Sequence, residues 1–102
     1  MTDKSYNSFK EFYPFYLSEH SNKTCRLLHL IGSTTVLVVL LYSIITQQYK
    51  LLLLLPVIGY GFAWVGHFVF EKNRPATFKY PLYSFIGDWV MWWQLITFKI
   101  KP

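Results

Sequence analysis

Trp64-Val65-Gly66-His67-Phe68-Val69-Phe70-Glu71-Lys72-Asn73-Arg74-Pro75-Ala76-Thr77 is the stretch where the chain changes character. An uncharged apolar run that begins at Leu51 ends here in a histidine. A carboxylate follows four residues later, and Pro75 closes a compact polar cluster. The run from Leu51 to Phe70 is long enough to cross a bilayer as a helix. On that helix His67 and Glu71 are i and i+4, sharing a face about one turn apart. A metal ion can bridge that spacing, and so can an ordinary helix-end hydrogen bond. The residues alone leave both readings open.

Upstream lies a second uncharged run, Leu27 to Ile45, also a spanning candidate. Thr46-Gln47-Gln48-Tyr49-Lys50 joins the two and is short enough for an antiparallel helical hairpin. His29 stands nineteen residues before Gln48 and His67 nineteen after it, so equal rise places both at one depth, away from the loop. Gly59, Ala63 and Gly66 form a ridge of small residues that His67 continues, turning the histidine toward a packed neighbour. Gly32 and Ser33 allow a close neighbour on the first run.

Residues 1–7 are polar and are expected to be frayed. From Phe9 the apolar positions are Phe9, Phe12, Tyr13, Tyr16 and Leu17, the stripe of an amphipathic helix over about residues 8–20. Its aromatic make-up suits a helix lying in the headgroup region. Pro14 is expected to kink it or to start a second short helix. His20 extends the stripe. Ser21, Asn22 and Thr24 are candidate N-caps for the following span. After the loop from Glu71 to Tyr80 comes a third apolar segment, about 82–98, which carries Asp88 on one face with Ser84 and reads as a shallow or spanning helix.

The whole chain of 102 residues reads as one all-α membrane helical bundle: interfacial helix, two-span hairpin, third helix. Hydrophobic residues make up 53% and charged ones 15%, against about a quarter in soluble domains. The net charge of +5 sits at the ends of the apolar runs and forms no stripe, which points to anionic lipid headgroups and away from nucleic acid. The single cysteine, Cys25, excludes an intrachain disulfide and a cysteine-paired zinc site. The N-terminus lacks a cleavable signal pattern, so the first span is read as an uncleaved anchor. Lys4, Lys10, Lys23 and Arg26 precede the hairpin, Lys50 alone marks its loop, and Lys72, Arg74 and Lys79 follow it. That asymmetry places the N-terminus and the histidine end on the cytoplasmic side.

No serine-histidine-acid elbow or Walker loop is visible, and Gly59-Tyr60-Gly61 lies inside an apolar span. The polar residues that remain gather at one interface: His20, Asn22, His29, His67, Glu71, Asn73, Arg74 and Asp88. Each has an ordinary reading too. His20 also reads as simply closing its helix, His29 as sitting at the interface, and Asp88 as a partner for Arg74 or a lysine. Three imidazoles near carboxylates suit a divalent transition metal, either Fe(II) with open positions for O₂ or zinc.

Phe15-Tyr16-Leu17-Ser18-Glu19-His20, Asn22, Arg26-Leu27-Leu28-His29, Gly66-His67-Phe68, Phe70-Glu71-Lys72-Asn73-Arg74-Pro75-Ala76 and Gly87-Asp88 together resemble the 2-hydroxy-fatty-acid dioxygenase-like family of small multi-span membrane proteins. The resemblance covers about residues 8–95. It implies Fe(II) as cofactor, O₂ as co-substrate and 2-hydroxy fatty acids as substrates shortened by one carbon. It further implies His20, His29 and His67 as metal ligands. The characterised branch is associated with four important histidines and this chain has three: either Glu71 or Asp88 completes the site, or this branch has lost or changed the activity. Asn22, Lys72, Asn73 and Arg74 are the candidate substrate-binding residues, with Arg74 or Lys72 on the carboxylate and the acyl tail along the hairpin. The competing readings are a non-catalytic membrane accessory subunit and a zinc membrane hydrolase. Oligomeric state is open.

Overall fold

The computed structural model describes residues 6–101; the first five residues of the polar N-terminal stretch, Lys4 among them, lie outside it. Every regular element among the described residues is helical. α1 (Phe9–Ser18) starts where the Ser8 hydroxyl accepts the Glu11 N–H at 3.2 Å, a serine N-cap. Pro14 stays inside α1 without dividing it. It forfeits one backbone bond, that to Lys10, and no second short helix follows. The stripe is used within the protein: Phe12 and Tyr16 are buried in a core with Ala76, Met91 and Leu95. Full burial of Phe12 and Met91 contributes about 1.5–3 kcal/mol each.

α2 (Lys23–Ile45) begins four residues before the uncharged run, because Asn22 caps it. The Asn22 Oδ1 accepts the N–H groups of Thr24 and Cys25 at 2.9 and 3.1 Å. The turn at Thr46–Gln48 is tight, with Gln47 left-handed at φ 57°. The return limb is helical from Tyr49 to Glu71 in three registers: a 3-10 turn (Tyr49–Leu53), α3 (Leu54–Val65) and a π-helical end (Gly66–Glu71). Pro56 falls in the first turn of α3, where its missing N–H costs least. After a 3-10 turn at Ala76–Phe78, α4 (Pro81–Ile96) packs on α1 and α2. The Trp92 indole N–H donates to Thr34 Oγ1 at 3.0 Å, pinning α4 to α2.

Small residues set the approach of the hairpin limbs. A Cβ at Gly32 would stand 2.7 Å from the Phe62 Cβ, and one at Gly66 would stand 3.0 Å from the Cys25 Sγ. The close crossing therefore uses one glycine from each limb. Gly59 has only ordinary contact, with Val36 at 3.6 Å. Both limbs are long and apolar enough to cross a membrane, and only 17% and 11% of their apolar windows are buried within the protein. The core helix of a soluble protein would be mostly covered; these two present Val38, Leu41, Ile45, Leu53, Val57 and Val69 outward.

Candidate metal centre

Three chain segments bring one histidine each to a common point. His20 follows the end of α1, His29 lies in the second turn of α2, and His67 lies in the π-helical end of the return limb. All three are buried, at 1%, 6% and 2% exposure. The ring of His20 meets His29 at 4.5 Å and His67 at 4.3 Å, near perpendicular in both cases. The equal spacing of His29 and His67 from the loop centre thus corresponds to neighbouring rings, 5.1 Å apart.

Hydrogen bonds assign the tautomers. The His20 Nδ1–H donates to the Tyr16 carbonyl at 2.7 Å and the His29 Nδ1–H to the Cys25 carbonyl at 2.9 Å. The His67 Nδ1–H donates to Asn73 Oδ1 at 2.7 Å. Each ring proton is therefore committed outward, which leaves the three Nε2 lone pairs facing one another. Nε2 of His20 lies 3.1 Å from that of His29 and 2.8 Å from that of His67. No hydrogen remains to sit between them. Burial holds the His20 imidazole well below the ordinary range, and the two neighbouring imidazoles push the same way, so the ring is neutral. Three facing lone pairs in a buried site repel unless a cation or a hydrogen donor lies among them. Two nitrogens bound to one first-row ion at ~2.1 Å stand about 3 Å apart, so the donor set fits a divalent metal. The potential ligand atoms all lie within 4.8 Å of one another. Cys25 lies on the outer, Nδ1 side of His29, with Sγ at 3.8 Å, and is not part of the group of three.

The segments are tied down where α1 ends. Asn73 Nδ2 donates to the Glu19 carbonyl at 3.1 Å, and Arg26 donates to the His20 and Lys101 carbonyls. Tyr16 stacks on His20 with centroids 4.0 Å apart, and its hydroxyl donates to Asp88 Oδ1. Burial first, then the Asp88 charge, pushes the Tyr16 phenol well above its ordinary range, so the proton stays on Tyr16. With Pro14 inside α1, His20 still meets His29 and His67.

The carboxylates and polar residues take posts the sequence did not fix. Glu71 accepts the Asn22 N–H and the Ser21 hydroxyl, so it caps α2 across the chain and does not stand over His67 as a fourth ligand. Both of its carboxylate oxygens are taken up there, one by the Ser21 hydroxyl and one by the Asn22 N–H. Asp88 is held by Tyr16 and lines a cavity beside the histidines. Asn22 is a cap and Asn73 an orienter of His67; neither lines that cavity. Lys72 is exposed in a left-handed turn (φ 61°), and the exposed Arg74 lies over the Phe78 ring at 5.5 Å. The fold does not bring either cation to the cavity. Tyr16 escaped the sequence reading as a site residue, although it lies one turn before His20 on the same stripe. The six-residue step from His67 to Asn73 follows no regular period, so no pattern announced it.

The cavity has a volume of about 370 Å³. Its wall runs from the three histidines along Ser33, Val36 and Leu40 of α2 and back along Ala63, Gly59 and Leu55 of the return limb. Tyr16, Ser84, Asp88 and Trp89 close the side toward α1 and α4.

An all-helical protein with two helices fit to span a membrane and a buried triad of metal-competent histidines defines the class. The chain belongs to the 2-hydroxy-palmitic acid dioxygenase Mpo1-like family, whose match runs over residues 6–100 and so takes in all three histidines. No curated protein and no solved structure matches it.

Proposed function

We propose that this protein is a membrane-embedded, Fe(II)-dependent dioxygenase that shortens 2-hydroxy fatty acids by one carbon. The observation that carries the reading is the convergence of three Nε2 lone pairs with no proton among them. The family description supplies the reaction class. Bound Fe(II) would supply the activation of O₂, which no side chain here offers. His20, His29 and His67 hold the ion, and the Tyr16 and Cys25 carbonyls and Asn73 fix their rings. The apolar wall of Val36, Leu40 and Leu55 receives the acyl chain. From His29 to Leu40 that wall is ~16 Å long at the helical rise, room for about a dozen methylenes.

The hairpin lies in the bilayer, with α1 and the 71–81 segment at the cytoplasmic interface as the Lys and Arg distribution directs. A substrate that partitions into lipid reaches the cavity from the membrane. The test is to load the detergent-purified protein with Fe(II) and incubate it with 2-hydroxypalmitate in air. Formation of the acid one carbon shorter is expected. An iron-loaded protein that leaves the hydroxy acid intact would refute the reading.

A further inference from the structure

Four hydroxyls on or at the ends of helices in this chain settle in the usual way, on the carbonyl four residues back. Thr35, Ser43, Thr46 and Thr97 each donate there at 2.6–2.8 Å. Ser84 does not. Its Oγ is buried, the residue is 1% exposed, and the oxygen is the one buried side-chain polar atom without a partner among the described residues. It lines the cavity that the three histidines line. A buried hydroxyl left unpaired is costly, so its place in a cavity wall points to a partner that arrives with the ligand.

Asp88 lies one helical turn further along α4 and lines the same cavity. One of its oxygens is engaged by Tyr16. Groups at i and i+4 stand about 5–6 Å apart, a gap that one hydroxyl oxygen can bridge with two hydrogen bonds. A hydroxyl both accepts and donates, so it matches a serine donor and a carboxylate acceptor together.

We infer that Ser84 reads the ligand's hydroxyl group, donating to it while Asp88 accepts from it, and so makes the cavity selective for hydroxylated over plain fatty acids. The inference rests on the proposed lipid-acid function of the cavity. A site built around a substrate hydroxyl disfavours the analogue lacking it, because its own polar groups are then left unpaired.

The test is equilibrium binding of 2-hydroxypalmitate and of palmitate to the full-length chain in detergent, wild type against Ser84→Ala, with thermal melts of both ligand-free proteins. The wild type is expected to prefer the hydroxy acid. Ser84→Ala is expected to cut that preference by about tenfold, leave palmitate binding unchanged, and melt no lower than the wild type, since it removes an unsatisfied group. A preference kept in Ser84→Ala, an equal weakening of both acids, or a lower melt that marks the hydroxyl as structural would each overturn the role of Ser84 alone. A wild type that binds neither acid would overturn the lipid-acid reading of the cavity, and the role of Ser84 with it.

Discussion

Asn73 is not part of the wall of the cavity beside the histidines, yet it decides which nitrogen of His67 carries the proton. Replacing it with alanine leaves the Nδ1–H without its acceptor and the ring free to turn. Asn73→Ala is therefore expected to weaken metal binding about 10–100-fold, and Asn73→Asp, which keeps the acceptor oxygen, to retain most of it. Competition titration with a metal-sensing dye measures both. His20 carries a second prediction. Its pKa in the fold lies below the unfolded value, so the unfolded chain takes up the proton first on acidification. Stability then falls as pH drops through about 6.5 and continues to fall until the folded pKa is reached. A melting temperature that rises from pH 7.5 to pH 5.5 would contradict that sign. At this scale the sequence was partly legible. The identity of the histidines was readable from spans, stripe and resemblance. Their hydrogen-bond partners were not, because Tyr16, Cys25 and Asn73 act through backbone carbonyls or across an irregular turn.

The hairpin is the element that sets the distance between His29 and His67, and its crossing depends on Gly32 lying against Phe62. A methyl there has nowhere to go. Gly32→Ala is expected to destabilise the fold by about 1–3 kcal/mol through overpacking. Gly61, inside α3 with nothing within 4 Å of an added methyl, is the control, and Gly61→Ala is expected to hold or raise stability, by up to about 1 kcal/mol through helix propensity. Thermal melts in one detergent compare them. The two spans, the loop and the third helix were readable from charge-free runs to within a few residues. The π-helical end was not. Gly66 to Glu71 has the composition of an α-helix, and only the packed structure draws it into the wider turn. At the end of that turn Glu71 is held by Ser21 and Asn22 at the start of α2, a contact between segments fifty residues apart that no local pattern announces.

As a whole the described chain is an elongated body, 47 Å along its axis and 25 Å across, against a bilayer of about 40–45 Å with its headgroups. The histidine centre lies at one end of the hairpin and Gln48 at the other. If the hairpin spans the membrane, cysteines placed singly at the exposed Gln48 and Lys72 are expected to react with an impermeant reagent from opposite sides; reaction of both from one side would contradict it. The composition already pointed to lipid as part of the solvent, since so apolar a chain of this size covers little of itself. The central claim is that three imidazole nitrogens share one metal ion, and metal analysis of the gently extracted protein tests it most directly. About one divalent metal per chain, lost in each of His20→Ala, His29→Ala and His67→Ala while the helical signal persists, is the predicted result. Folded wild-type protein that neither carries nor takes up a divalent metal would contradict it.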